Sequence, residues 1–172
     1  MTVILITGIP GVGKTTFIRK IAGSLEELHP VGFYTQEIRE RGGRVGFEII
    51  GFDGSRRLLS HVTLQSRSRV GKYGVDVPGF EEYLQSLDLG DDNRSPVIID
   101  EIGKMECSSS RFRDLVSGLV EGHRLLIATV ARKGDRFIES IKYRENVRLV
   151  EVTRENRDVL LPRVLEIVQG HP

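Results

Sequence analysis

The chain has 172 residues, 28% of them charged, with a formal net charge of +1. That length fits one domain around one core, and the near-neutral balance argues against a global field for nucleic acid or a membrane surface. No apolar run approaches a membrane span. Met1 leads straight into a strand, which leaves no place for a signal peptide, and the lone Cys107 excludes an internal disulfide. The expectation is a cytoplasmic, monomeric protein in a reducing compartment.

Val3 to Ile6 is apolar and mostly β-branched, as a buried parallel strand is. Gly8-Ile9-Pro10-Gly11-Val12-Gly13-Lys14-Thr15 follows and fits G-x-x-x-x-G-K-(S/T) without a gap. Thr15 to Leu25 reads as a helix with Phe17, Ile18, Ile21 and Leu25 near one face. Strand, glycine-rich turn and helix together predict a phosphate-binding P-loop. Such a loop must turn several N–H groups inward, and glycine permits the angles and close approaches this needs. The helix aims its positive end at the same phosphates. Residues Gly8 to Thr15, with Thr16, are therefore candidate nucleotide ligands. Lys14 is placed for the β- and γ-phosphates, and the Thr15 hydroxyl for Mg²⁺.

His29-Pro30 ends the first helix. Val31 to Ile38 reads as a strand, Arg41 to Arg44 as a hairpin turn, and Val45 to Phe52 as the returning strand. Asp53-Gly54 marks a second turn. Arg56 to Ser68 is polar and gives no clear assignment. Val70 to Val77 reads as a strand stopped by Pro78-Gly79, Phe80 to Leu87 as a short helix, and Asp88 to Ser95 as a charged linker. Val97-Ile98-Ile99-Asp100 is a second buried strand, and a serine among Ser108 to Ser110 caps a helix to about Val120. Arg124 to Val130 is a third core strand. Asp135 caps a helix to about Lys142. Val147 to Val152 is a fourth core strand, and Thr153 caps a helix over about Glu155 to Val168. Strands alternating with helices at both ends, around a hairpin excursion, predict an α/β fold with a mostly parallel sheet and an antiparallel addition.

Beside a P-loop, a strand ending in an acid supplies the Mg²⁺ partner, here Asp100. Glu101, next in the chain, is placed to orient or deprotonate a water at the γ-phosphate. Thr129, at the end of the third core strand, either senses the γ-phosphate or bonds a neighbouring strand. Lys104 and Glu106 follow the acidic pair, and Arg132 and Lys133 follow Thr129. Each cation either stabilises charge on the transferring phosphoryl group or is a solvated surface charge. Arg39, Arg41, Arg44, Arg67 and Arg69 form either a lid over the nucleotide or a solvated hairpin face. In Thr153-Arg154-Glu155-Asn156-Arg157, Asn156 can bond a base edge or ribose and Arg157 can stack on the ring. A capping box through Thr153 and Asn156 is the structural alternative.

Three stretches together resemble the cancer-related nucleoside-triphosphatase family, also known from thermophiles. They are the P-loop, Gly32 to Glu37 with Gly43 to Phe47, and Asp100-Glu101-Ile102-Gly103-Lys104-Met105-Glu106. Val70 to Tyr73 and Thr153 to Arg157 extend the likeness over nearly the whole chain. Cys107 stands where the family often has leucine. The resemblance implies a RecA-like P-loop fold and slow, Mg²⁺-dependent hydrolysis of several nucleoside triphosphates to diphosphate and phosphate. Two other classes share the P-loop. A nucleotide or small-molecule kinase would need an acceptor pocket and a closing lid. A GTPase switch would use the D-x-x-G match at Asp100 to Gly103, but no N-K-x-D guanine signature follows.

Overall fold

β1 (Val3–Thr7) is buried at every position. Val3 and Leu5 enter one core and Ile4 and Ile6 the other, so the strand needs apolar residues on both faces. The computed structural model describes residues 3–87, 89 and 95–169. The P-loop links β1 to α1 (Lys14–Ser24), whose Phe17, Ile18, Ile21 and Ala22 pack onto the sheet. The chain then builds the hairpin of β2 (Val31–Glu40) and β3 (Gly43–Gly51), which turns through Arg41 and Gly42, both at positive φ. β4 (Arg56–His61), β5 (Arg69–Val70) and β6 (Tyr73–Val75) follow, then α2 (Val77–Ser86). The second half alternates β7 (Val97–Ile102), α3 (Ser110–Glu121), β8 (Leu126–Val130), α4 (Arg136–Lys142), β9 (Val147–Glu151) and α5 (Arg157–Gln169).

One sheet of nine strands results, in the order β5-β6-β4-β3-β2-β7-β8-β1-β9. β2, β7, β8, β1 and β9 run parallel, and β3, β4, β6 and β5 extend the sheet antiparallel. The larger core holds Phe33, Phe80 and Phe112 with residues of α2, α3 and α4. The other core lies under α1 and α5. The parallel register brings the carboxyl ends of β1, β2, β7 and β8 to one edge, where the P-loop lies.

Several boundaries differ from the sequence reading, each for a physical reason. Arg56–His61 is a strand, although its pattern does not alternate. A register shift opposite Phe47 and Glu48 leaves Leu59 without a partner, and such a bulge breaks the period of two. The strand expected over Val70 to Val77 is two short strands around Gly71 and Lys72, and Val77 already belongs to α2. Pro78 does not stop a strand there. It sits in the first turn of α2, where no N–H is needed, and Asp76 caps that turn by accepting from Gly79 N at 3.1 Å. Val147–Glu151 is an edge strand rather than a core strand: only β1 pairs with it, and Arg148, Leu149 and Glu151 are exposed. Of the charged linker expected over Asp88 to Ser95, all but Leu89 and Ser95 lie outside the described residues. The expected caps form at Ser109, which accepts from Phe112 N at 3.0 Å, and at Asp135, which accepts from Ile138 N at 3.1 Å.

Candidate active site

The cradle follows from three glycines. Gly11 and Gly13 have φ of 76° and 101°, in the left-handed region where a side chain is strained. A Cβ on Gly8 would stand 2.6 Å from the Val152 carbonyl oxygen. Gly13 precedes α1 and offers no side-chain cap, so the first N–H groups of the helix face the cradle without a side-chain acceptor. That is the arrangement an anion completes. Lys14 folds back to donate to the Gly8 carbonyl at 3.3 Å. The apolar side chain of Ile9 is exposed at the loop tip, while Val12 is buried and anchors the loop to the core.

Two strands away, Asp100 is 1% exposed in β7. Its Oδ1 accepts from the Thr129 hydroxyl at 2.7 Å, and Thr129 is itself fully buried in β8. Burial pushes the Asp100 carboxyl up. The Thr15 and Thr129 hydroxyls, the Thr35 backbone and the Lys14 charge oppose that shift. Among the described residues, two buried side-chain polar atoms have no hydrogen-bond partner, Asp100 Oδ2 and Thr7 Oγ1. Both lie at the strand ends beside the P-loop. Leaving such an atom unpaired costs about 1–3 kcal/mol, so each is a position where a ligand, ion or water belongs.

The peptide joining Asp100 to Glu101 is cis. Glu101 is half-buried, and burial raises its carboxyl above the ordinary range; Lys14 lowers it and Asp100 raises it. Glu106 lies behind it, 5% exposed, with a carboxyl pushed up to about 8 by burial. The two acids converge on Gly103. A Cβ there would meet Glu106 Oε2 at 3.0 Å and Glu101 Cδ at 3.5 Å. Glu101 and Glu106 line a cavity of about 260 Å³ with Thr35, Phe47, Lys104 and Lys133. A second cavity of about 230 Å³, lined by Gly13, Thr16, Phe17, Lys20, Arg157 and Asp158, opens on the other side of the P-loop.

The profile of the NTPase family matches residues 3–165. The chain belongs to the NTPase family. It is 43% identical to nucleoside-triphosphatase THEP1 of Thermotoga petrophila, over 96% of this chain and 92% of that one. It is 39% identical to the human cancer-related nucleoside-triphosphatase, over 97% and 96%. The crystal structure of THEP1 from Aquifex aeolicus superposes with a TM-score of 0.81 at 38% identity, covering 97% of this chain and 98% of that one. The solution structure of the human protein gives 0.83 at 34% identity, with both chains fully covered. The fold is that of a P-loop NTPase.

Within this NTPase, Lys14, Thr15, Asp100, Glu101 and Thr129 gather at one edge of the sheet. Asn156 is engaged in the capping box. Its Oδ1 accepts from Thr153 N at 2.8 Å, its Nδ2 donates to the Glu151 carbonyl at 2.9 Å, and its N–H donates to Thr153 Oγ1 at 3.3 Å. Arg157 instead reaches the P-loop, its Nη1 3.9 Å from where a Gly13 Cβ would stand. Arg132 pairs with Glu151 at 3.6 Å. The hairpin arginines are mostly tied: Arg44 donates to Tyr73 Oη and Glu37, Arg39 to Glu37, and Arg69 to the Lys72 carbonyl. Arg41 and Arg67 are exposed. The sequence reading gave Glu106 no role and missed Thr7 and Thr35. Met105 and Cys107 on either side of Glu106 were the available signal that this acid lies in the core.

Proposed function

We propose that this NTPase hydrolyses ATP, GTP, CTP and UTP to the diphosphate and orthophosphate, with Mg²⁺ and broad base tolerance. The unpartnered buried Asp100 Oδ2, one strand from Thr129 and facing Lys14 and Thr15, carries the reading. It is a carboxylate oxygen without a partner beside the phosphate cradle, and Mg²⁺ takes such oxygen ligands. Asp100 and the Thr15 hydroxyl would hold the ion, which would supply positive charge to the β- and γ-oxygens. The backbone N–H groups of Gly8 to Thr16 and the Lys14 ammonium bind the phosphates. The Arg157 cavity seats the ribose or base by stacking, which discriminates bases weakly, and any base contact from Asn156 falls to its second Nδ2 hydrogen or its second Oδ1 lone pair.

The reaction forms a bond from water oxygen to the γ-phosphorus and breaks the bond from that phosphorus to the β,γ-bridging oxygen. The bond pair leaves with the diphosphate, whose charge Lys14 meets. Glu101 takes the water proton, and Thr129 holds the Asp100 carboxylate in place. Lys104 lies on the same cavity as Glu101, within the group of candidate cations. We further propose a single-domain, monomeric, cytoplasmic enzyme; the buried, unpaired Cys107 supports a reducing setting. No described helix is long and apolar enough to cross a membrane.

The test is steady-state phosphate release from the four triphosphates, with Mg²⁺ present or chelated and no acceptor added. Release from all four that stops on chelation is expected. Release only when a hydroxyl acceptor is added would mean a kinase instead.

A further inference from the structure

Two lysines, Lys104 and Lys133, line the cavity beside Glu101. Neither side chain makes a hydrogen bond or ion pair among the described residues, although two carboxylates share the cavity with them. The two lysines differ in what holds their backbone. Lys104 lies on the turn after β7, where its carbonyl accepts from the half-buried Ser108 hydroxyl at 3.1 Å. Lys133 lies in the loop after β8, between two backbone groups fixed by one ion pair, that of buried Lys142 with Glu139, whose side chain is 42% exposed. Lys142 Nζ donates to the Arg132 carbonyl at 2.9 Å and to Glu139 Oε1 at 2.9 Å. The same Glu139 oxygen accepts from Gly134 N at 2.8 Å. The Lys142 side chain is 3% exposed.

The rest of the loop is equally fixed. Ala131 N donates to the Ile102 carbonyl at 3.2 Å, and Arg113 ties Asp135 at 2.8 Å while also donating to the Cys107 carbonyl. A Cβ on Gly134 would meet Ile138 at 2.4 Å, so the loop has no room to shift toward α4. Burying an ammonium is costly even when it is paired. Among the described residues this ammonium donates to the loop's Arg132 carbonyl and to Glu139, which in turn holds Gly134 N, so the pair fixes the peptide units on either side of Lys133.

We propose that Lys133 is the cation that meets the charge on the transferring phosphoryl group, and that the pair of buried Lys142 with Glu139 is the clamp that positions it. The inference rests on the hydrolase reading of the site. Lys133 is the catalytic group, and Lys142 and Glu139 are positioning residues. A cation there is most useful when its backbone is already fixed, because nothing then reorganises as charge develops. Lys104, on a less constrained turn, contributes solvated charge at the cavity rim.

The experiment measures turnover and nucleotide affinity for Lys133→Ala, Lys104→Ala, Glu139→Ala and the Lys133→Ala/Glu139→Ala pair. Lys133→Ala is expected to lose at least about thirtyfold in kcat, with affinity within about threefold, as for a group acting only in the transition state. Methylammonium should restore part of that loss. Lys104→Ala should lose clearly less than Lys133→Ala. Glu139→Ala should slow the parent about tenfold and the Lys133→Ala variant hardly at all, because the clamp then has nothing to position. Lys133→Ala within threefold of the parent overturns the assignment, and so does an equal loss in Lys104→Ala. Equal slowing of both backgrounds by Glu139→Ala overturns the clamp, since a merely structural residue would act that way. Failure of the underlying reading shows separately, as a parent protein that releases no phosphate from any triphosphate.

Discussion

The two halves of the site are built from different materials. The phosphate-binding half is backbone: three glycines, an uncapped helix start and one lysine folded onto its own loop. The hydrolytic half is side chain: Asp100, Glu101 and Glu106, all with carboxyls raised by burial. Backbone donors are neutral and cost little to hold in place without ligand. Buried acids are costly until a cation or proton meets them. The proposed binding half therefore costs little to hold without ligand, while the proposed hydrolytic half carries buried acids that nucleotide-bound Mg²⁺ would relieve.

The division is sharpest in Glu101→Gln. Glutamine keeps the shape and cannot take the proton, so single-turnover hydrolysis should fall ~10²–10⁴-fold while ATP affinity barely changes. A fall below about threefold removes Glu101 as the base, and a collapse of binding would make it a metal ligand. The parent's rate should also rise with pH through a carboxyl pKa above the usual range, because the base must be ionised to act. The glutamine variant should lack that limb.

Lys14→Ala tests the other half. A charge-assisted contact is worth about 1.5–3 kcal/mol, so triphosphate affinity should drop roughly 10–150-fold, with an unchanged circular dichroism spectrum. Titration of a fluorescent nucleotide would read it, and near-normal affinity and turnover would remove Lys14 from the site.

Glu106→Gln probes the cost of a buried acid without touching nucleotide. The folded-state carboxyl stands at about 8 against an ordinary 4.5, so the folded protein holds a proton that the unfolded chain releases. Stability from this group is full below about 4.5 and is lost as pH rises to about 8. The slope is at most about 1.4 kcal/mol per pH unit. Urea unfolding of the metal-free protein from pH 5 to 9 should show the decline, and Glu106→Gln should flatten it. A parent curve that is flat over this window would mean Glu106 is ionised in the fold.

The smallest effect expected is between bases. The Arg157 cavity offers stacking, and the amide of Asn156 is engaged with Thr153 and Glu151. Turnover per unit concentration should agree within about tenfold across ATP, GTP, CTP and UTP. A preference above roughly a hundredfold, about 2.7 kcal/mol, would reveal a reading pocket elsewhere.

The binding half was legible in the sequence because its parts are contiguous, from Val3 to Leu25 in one run of strand, loop and helix. Asp100 and Glu101 were legible because a fully apolar strand ends on them. The proposed clamp at Lys133 was not, because the Arg132 carbonyl and Lys142 Nζ meet only once α4 folds back. β4 was hidden by the bulge at Leu59, and the start of α2 by Pro78, which reads as a breaker unless Asp76 is recognised as the cap. Local chemistry is readable along the chain, whereas contacts made by the return of a later element are not.

The placement of β1 has a consequence during synthesis. It lies between β8 and β9, with Val3 beside Leu126 on one side and Val147 on the other. The P-loop is made before β8 and β9, and its strand finds its neighbours only after both have emerged. Pairings so distant in sequence form slowly. Until they form, a nascent chain carries an apolar strand without partners and an unsupported glycine loop, so the proposed nucleotide could not stabilise it until β9 has been made. A pulse of protease on stalled chains should find this segment cleavable until β9 has been made.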